Sequence, residues 1–446
     1  MKKILIANRG EIAERIIRTC SRLGMETVAV YSTADKDLPY VKQATIAYSI
    51  GDPPAAKSYL NQEEVMRVAL EEKVDAIHPG YGFLSENAEF VRRVENHGIT
   101  FIGPSADVVE AMGDKITARK TMVEAGVPVV PGSGEIADVS AAVSYANEIG
   151  YPVMLKAAAG GGGIGMQRCE NDQELEKAFP SSQNRAKAYF GNGDMFVEKF
   201  IDHARHIEVQ IVGDKHGNIV HLYERDCSIQ RRNQKVLEET PSPFLSPTTR
   251  TKIGEAALKA ALHVSYTNAG TVEFVVDEDE NFYFLEMNTR LQVEHPITEE
   301  TIGVDLVEWQ CLVAEGRSLP LKQKDIMPSG HSIEFRLYAE DPTNFMPSPG
   351  KIEKLYFPTM EDVRIDSGYE SGSNVSPFYD PMIAKIIVKG STRQEAIQTG
   401  KTFFEKFSLE GIKHNGPLFK NLLSENNFEH GQYSTSYLAQ TPALKK

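Results

Sequence analysis

The stretch from Glu286 to His295 sets Glu286, Asn288, Arg290, Gln292 and Glu294 on alternate positions, with Met287, Thr289, Leu291 and Val293 between them. In extended backbone, successive side chains point to opposite sides, so the five polar groups would share one face. That face offers a carboxylate and an amide fit for a hard cation, then a guanidinium, then a second carboxylate. Burying such a mixture unpaired is costly, so the pattern reads as the wall of an active site. Upstream, Gly270 to Asp277 and Phe282 to Glu286 are β-rich runs around the polar turn Glu278-Asp279-Glu280-Asn281, which makes an antiparallel hairpin. A turn centred between Asp279 and Glu280 sets Glu273 opposite Glu286, with Cβ atoms roughly 4.5–5.5 Å apart, where like charges repel. A hard divalent cation converts that repulsion into binding, and carboxylate plus amide oxygens suit Mg²⁺.

Other groups gather around the same chemistry. Tyr151 to Lys156 reads as a short strand ending in lysine, followed by Gly160-Gly-Gly-Gly-Ile-Gly165. Such a run lets backbone N–H groups close around phosphate oxygens and lets the loop move as a lid. With Lys156 at its base and Lys115 upstream, it forms a phosphate clamp without the Gly-Lys-Ser/Thr of a Walker loop. Phe196 to Ile201 reads as a strand passing into a connection, with Glu198 placed for a ribose. Alternation from Arg205 to Val212 puts His206, Glu208 and Gln210 on one face. Glu224 to Lys235 is dense in basic and amide groups, which in an acidic chain suggests recognition of a small anion. Cys227 within it reads as buried and inert. Arg336, alternating with Glu334 on a strand, is a second fixed cation.

The elements that must position these groups follow from the hydrophobic pattern. The first ~110 residues alternate strand and helix: strands at Lys3 to Ala7, Thr27 to Tyr31, Val74 to His78 and Thr100 to Ile102, and a helix from Glu11 to Leu23. That is a doubly wound parallel sheet. Its first turn, Asn8-Arg-Gly-Glu11, is not a dinucleotide fingerprint, whereas the turn His78 to Asn87 leaves a strand's carboxyl end, where open α/β sheets bind ligands. A small α+β lobe carries the glycine loop from about Pro131 to Glu198. Beyond Arg205 the chain is strand-rich, with helices near Arg250 to Val264, Asp305 to Glu315 and Arg393 to Lys406.

The chain has 446 residues, 41% of them hydrophobic and 25% charged, with a net charge of −14. These values fit a globular protein of two or three domains and argue against a nucleic-acid or anionic-membrane surface. No run approaches the ~18 apolar residues that span a bilayer. Cys20, Cys169, Cys227 and Cys311 have neither zinc spacing nor a disulfide framework, and the expectation is a cytoplasmic protein.

Taken in order, these pieces resemble the ATP-grasp biotin carboxylases across essentially the whole chain. The resemblance rests on Ile-Ala-Asn-Arg-Gly-Glu-Ile-Ala near the start, His78-Pro-Gly-Tyr-Gly-Phe-Leu-Ser-Glu-Asn, and Met112-Gly-Asp-Lys. It continues through the glycine loop, Gln230-Arg-Arg-x-Gln-Lys, Glu286-Met-Asn-Thr-Arg-x-Gln-Val-Glu-His and Tyr379-Asp380. It implies an α/β and α+β architecture of three domains. These are an N-terminal (pre-ATP-grasp) domain at 1–111, an ATP-grasp domain at 112–329 with a mobile lobe at about 131–200, and a C-terminal domain at 330–446. The implied reaction has ATP phosphorylate bicarbonate to carboxyphosphate, after which the carboxyl group passes to N1′ of biotin. Lys115, Lys156, Gly162, Gly163, Glu198, Lys199, Ile201, His206, Gln230 and Asn233 would bind ATP. Glu273, Glu286 and Asn288 would hold Mg²⁺ or Mn²⁺, two ions in all. Lys235, Arg290, Gln292 and the Val293 backbone would hold bicarbonate. Glu294 would be the base that deprotonates it, and Arg336 would stabilise the enolate-like oxygen of biotin.

The resemblance further implies a homodimer, a separate biotin carboxyl carrier protein and a separate carboxyltransferase, in the first half-reaction of an acyl-CoA carboxylase, with acetyl-CoA and fatty acid synthesis the expected setting. Ile164 and Gln167 stand where the family usually has basic residues, and Asn233 where it commonly has histidine. Each lost charge-assisted hydrogen bond is worth roughly 1.5–3 kcal/mol. Two other readings are open: another ATP-grasp ligase joining a carboxylate to an amine, and a nucleotide-binding subunit weakened at those three positions.

Overall fold

The computed structural model describes residues 1–158 and 166–441. Strands β1 (Lys3–Ile6), β2 (Glu26–Tyr31), β3 (Ile46–Ser49), β4 (Ala76–His78) and β5 (Thr100–Phe101) form a parallel sheet in the order β3-β2-β1-β4-β5. Alternate residues of β1 enter different cores. Ile4 and Ile6 pack with Ile12, Ile16 and Ile17 of the helix Gly10–Arg22. Leu5 joins Val65 and Val68 of Gln62–Glu71, and Val91 and Val94 of Ala88–Asn96, on the other side. The sheet is therefore doubly wound, as the sequence predicts. β3 escapes the sequence pattern because it is a half-exposed edge strand. The strand order reverses direction between β1 and β4, which opens a crevice at their carboxyl ends. Two turns meet there. Asn8 Nδ2 donates to the carbonyls of Pro79 and Tyr81, each at 2.7 Å. Gly80, at φ +64°, leaves no room for a Cβ, which would stand 2.8 Å from Asn8 Nδ2.

A three-stranded antiparallel sheet follows, β6 (Val153–Ala157), β7 (Gln167–Cys169) and β8 (Met195–Lys199), in the order β7-β6-β8. The helices Val139–Ile149 and Asp172–Phe190 flank it, and the lobe has a core of its own around Leu155, Leu175, Phe179 and Val197.

The largest sheet contains β9 (Arg205–Gly213), β10 (Ile219–Arg231), β11 (Gln234–Thr240), β12 (Asn268–Val276), β13 (Phe282–Asn288) and β14 (His331–Tyr338). Its order is β13-β12-β9-β10-β11-β14, continued by Met382–Gly390 and Val363–Ser367. Every neighbouring pair is antiparallel. The pairing of β11 with β14 carries the sheet without a break across residues 329 and 330. No helix among the described residues is long and apolar enough to cross a membrane.

Two local expectations need correction. The hairpin β12–β13 does pair Glu273 with Glu286, but nearer the tip Phe274 faces Phe284 and Val276 faces Phe282. The turn is thus centred on Asp279, and an extra residue, Leu285, shifts the register by one before Glu286 is reached. The extended face from Glu286 to Glu294 is not one strand. β13 ends at Asn288, an irregular segment carries Arg290 and Gln292, and Glu294 is the N-cap of the helix His295–Ile302.

Candidate active site

A cavity of about 920 Å³ lies between the crevice of the N-terminal sheet, the three-stranded lobe and the largest sheet. Lys115, Lys156, Glu198, Lys199, Ile201, His206, Gln230, Asn233, Lys235, Glu273, Glu286, Asn288, Arg290, Gln292, Val293 and Arg336 all line it. Glu294 stands one layer behind, 0% exposed. Gly162, Gly163 and Ile164 lie outside the described residues.

At the closed end, one ammonium collects three carboxylates. Lys235 Nζ lies 2.5 Å from Glu208 Oε2, 2.8 Å from Glu273 Oε1 and 2.7 Å from Glu294 Oε1. The other oxygen of Glu294 accepts from Arg336 Nη2 at 2.9 Å. Glu208 is shared with the fully buried Arg225, whose Nε donates to Oε1 at 2.6 Å. Arg290 donates to Gln292 Oε1 at 2.6 Å and to Asn288 Oδ1 at 2.9 Å, and Gln292 Nε2 donates to Glu273 Oε1 at 2.9 Å. The irregular segment therefore still delivers its polar groups to one place, through side-chain bonds rather than strand alternation.

These contacts set the charges. Burial raises the proton affinity of Glu294 and Glu273, but the nearby positive charges together outweigh it, Lys235 with Arg336 for Glu294 and Lys235 with His206 for Glu273. Both are held well below the usual carboxylate range and are ionised at neutral pH. His206 is raised, since Glu273 overcomes the effect of burial. Its Nε2 stands 2.8 Å from Glu273 Oε2, a charge contact off the direction of a hydrogen bond. Cys227 is buried 3.8 Å from Glu294 Oε1 and pushed well up, first by burial and then by Glu208, so it is an inert thiol.

Glu286 is the odd acid. Among the described residues its carboxylate accepts no hydrogen bond and forms no ion pair. Burial, and then the facing Glu273, raise its proton affinity, while Lys115 opposes them. An unpartnered carboxylate opposite an ionised one, with the Asn288 amide beside them, is an oxygen donor set that fits a hard divalent cation. Two other clusters, His206–Glu208–Glu273 and Glu208–Cys227–Glu294, bring three possible ligand atoms within 4.8 Å of one another. There, however, the Lys235 ammonium already supplies the positive charge.

Toward the lobe, Lys115 opens the helix Lys115–Glu124 behind an Asp114 cap and forms no ion pair among the described residues. Burial lowers its proton affinity, partly offset by Glu286. Lys156 Nζ instead lies 2.5 Å from Glu198 Oε2, and Arg119 Nη1 approaches the other oxygen at 3.4 Å. Glu198, read as a ribose acceptor, is thus engaged by two cations here. The Lys199 ammonium is tethered to the carbonyls of Gly150 at 2.9 Å and Tyr151 at 3.0 Å. Gln230 Nε2 donates to the Cys227 carbonyl at 2.9 Å and faces His206 Nδ1. Arg232 and Asn233, at φ +49° and +64°, form a two-residue turn between β10 and β11. Asn and His tolerate this left-handed region better than most residues, which gives Asn233 a backbone reason.

The basic run Glu224 to Lys235 is mostly structural. Arg225 is locked to Glu208, and Arg231 pairs with Glu340, leaving Lys235 as the cation at the centre of the site. Several partners have no sequence signal strong enough to name them in advance. Glu86 accepts from Arg290 Nε at 3.0 Å. Glu238 Oε1 lies 2.5 Å from Arg336 Nη2 and faces Glu334 across β11 and β14, both acids fully buried. Acids in the run Val236-Leu-Glu-Glu-Thr240 are the one hint of this pairing. Burial pushes Glu238 up from 4.5 to about 7, with Arg336 opposing and Glu294 reinforcing. Between those values the folded protein keeps a proton the unfolded chain has lost. This group's stabilisation is therefore complete below about pH 4.5 and lost as pH rises through about 7. In thermal melts from pH 5 to 8, Glu238→Gln is expected to gain on the parent protein by about 3 kcal/mol over that window. A parallel pair of pH curves would refute the assignment.

Residues 1–109 match the family described as biotin carboxylase, N-terminal domain. Residues 114–322 match carbamoyl-phosphate synthase L chain, ATP binding domain, and residues 334–440 match biotin carboxylase C-terminal domain. The chain is 58% identical over 439 residues to biotin carboxylase 2 of Bacillus subtilis, covering 98% of this chain and 99% of that one. The crystal structure of a biotin carboxylase–β-γ-ATP complex from Campylobacter jejuni superposes with a TM-score of 0.97 at 48% identity, covering 98% of each chain. So does the biotin carboxylase domain dimer of Hydrogenobacter thermophilus 2-oxoglutarate carboxylase, solved with MgADP, ADP and bicarbonate. Its TM-score is 0.97 at 47% identity, over 100% of this chain and 98% of that one. Three family matches in order, over the same fold and nearly the full length, leave one assignment: the chain belongs to the biotin carboxylase family of ATP-dependent carbon–nitrogen ligases.

Proposed function

We propose that this chain carboxylates biotin borne on a separate carrier protein, using ATP and bicarbonate through carboxyphosphate. The observation that carries the reading is the Glu294 carboxylate, ionised and shared between Lys235 at 2.7 Å and Arg336 at 2.9 Å. Bicarbonate is a poor nucleophile until it loses its proton. A carboxylate base flanked by fixed cations both accepts that proton and stabilises the charge left behind. Lys235, Arg290, Gln292 and the Val293 backbone hold the anion, and Arg336 then faces the biotin oxygen. Lys115, Lys156, Glu198, Lys199, Ile201, His206, Gln230 and Asn233 surround ATP, with Gly162 and Gly163 in the covering loop. Phosphoryl transfer asks mainly for positioning and charge neutralisation. When bound, Mg²⁺ or Mn²⁺ ions, two in number, held by Glu273, Glu286 and Asn288, add positive charge at the phosphate oxygens.

The wider setting belongs to the same proposal: three domains at 1–111, 112–329 and 330–446, a homodimer in the cytoplasm, and a carrier and carboxyltransferase on separate chains. We place the final acceptor at acetyl-CoA, for fatty acid synthesis. The relation to a 2-oxoglutarate carboxylase domain makes a keto acid the competing acceptor.

The deciding assay is ATP cleavage with bicarbonate, with and without free biotin. Bicarbonate-dependent turnover that rises with biotin is the expected result. Turnover that needs an amine, or ATP binding with no turnover, would reject it. Glu286→Gln provides a separate check on the cation site. Removing one of two opposed acids is expected to leave the melting temperature in EDTA unchanged or higher. The Mg²⁺ concentration for half-maximal turnover should rise about tenfold or more, since a ligating charge is lost. An unchanged Mg²⁺ requirement would take Glu286 out of the ligand set.

A further inference from the structure

Among the described residues, the segment bearing Arg290, Gln292 and Glu294 has no strand partner, so ladder hydrogen bonds do not hold it. Side chains do. Glu86 accepts from the Thr289 N–H at 3.0 Å, and His295 Nδ1 lies 2.7 Å from the Gln292 carbonyl. The third hold is unexpected. Lys385 Nζ donates to the Val293 carbonyl at 2.9 Å, and Lys385 is 0% exposed. It sits on the strand Met382–Gly390, directly across from Arg336 on β14. Its ion-pair partner is Glu11 Oε2 at 3.1 Å, in the first turn of the helix Gly10–Arg22, the other oxygen of Glu11 takes the Tyr81 hydroxyl, and Asp366 opposite Lys385 on Val363–Ser367 adds a second negative charge.

Burying an ammonium costs several kcal/mol even when paired, and an apolar side chain would fill the same space without that cost. The charge therefore calls for a role. The Val293 carbonyl and the Glu294 N–H belong to one planar peptide unit. Gripping that oxygen fixes the rotation of the plane and so the direction in which the Glu294 side chain leaves the backbone. At the far end of that side chain, the carboxylate must land between Lys235 and Arg336.

We propose that Lys385, neutralised by Glu11, is a positioning residue for the reaction, clamping the Val293–Glu294 peptide so that the Glu294 carboxylate meets bicarbonate. The clamp joins the first helix of the chain, the segment after β13 and the strand beside β14. It rests on the reading of Glu294 as the base.

Lys385→Met alone leaves Glu11 buried without its cation and risks the fold. The informative variant is K385M/E11Q, which removes both charges together. Three quantities are read on the full chain: melting temperature, ATP affinity, and kcat for biotin-stimulated, bicarbonate-dependent ATP cleavage. The double variant is expected to fold and to bind ATP within about twofold of the parent. Its kcat should fall about 10- to 100-fold, the scale of a small misplacement of a reacting group. Unchanged kcat in a folded double variant would overturn the inference. So would a kcat loss that merely tracks falling ATP affinity and melting temperature, which marks a structural role. If the parent protein itself shows no bicarbonate-dependent cleavage, the failure lies with the proposed function instead.

Discussion

Glu294→Gln is expected to fold and to bind ATP with little change, yet to lose bicarbonate-dependent turnover by about 10²–10⁴-fold, the usual contribution of a positioned base. The substitution keeps the shape of the side chain and an oxygen for Lys235 or Arg336, whose atoms lie 2.7 and 2.9 Å from the carboxylate. What it removes is the ability to take a proton. Glu294 is fully buried, and Lys235 already faces Glu208 and Glu273, so loss of one negative charge leaves no cation unpaired. The measurements are steady-state ATP cleavage with and without bicarbonate, and equilibrium binding of ATP. Turnover close to that of the parent would remove Glu294 from its role.

Lys235→Met is expected to be the more damaging change for stability. Removing one partner from a buried charge cluster costs about 3–5 kcal/mol, because the remaining charges stay desolvated and unpaired. Here Glu208 keeps Arg225 and Glu294 keeps Arg336, but Glu273 is left with His206 as its one cationic partner among the described residues, beside the Asn288 and Gln292 amides. The pH dependence has a definite sign. Lys235 holds Glu273 and Glu294 well below their ordinary values, against burial. The stability it confers is therefore present above about pH 4.5 and lost on acidification as those carboxylates protonate. The melting-temperature gap between parent and variant should be widest near neutral pH and close toward acid. Turnover should be undetectable throughout. A gap that does not change with pH would mean that Lys235 acts by packing alone.

The N-terminal sheet was legible because buried parallel strands are short apolar runs between helices, and β1 splits its side chains between two cores as period-two geometry requires. Counting from a turn centred between Asp279 and Glu280 gives the Glu273–Glu286 pair, although the turn itself is centred on Asp279. The bulge at Leu285 compensates, so the right pair came from a register that holds only beyond the bulge. Likewise, alternate spacing from Glu286 to Glu294 picked out residues that do converge, although the backbone leaves the strand at Asn288. Their convergence is enforced by hydrogen bonds to Glu273 and Glu86 and by Lys235, groups separated in sequence. Illegible were the partners themselves. Arg119 and Lys385 matter because folding brings them to the site, and nothing in their own neighbourhoods announces it; Glu86 lies in the turn His78 to Asn87 and Glu238 in an acidic run, but neither setting names the partner.

The unbroken run of hydrogen-bonded strands from β13 to Val363–Ser367 has a mechanical consequence. Strands paired on both flanks resist shear, so the floor bearing Glu273, Lys235 and Arg336 behaves as a single stiff plate, with Glu286 on its edge strand β13. The three-stranded lobe is a separate sheet with hydrophobic packing of its own. On the proposed function, nucleotide entry is then expected as a swing of the lobe over a floor whose own spacings do not change.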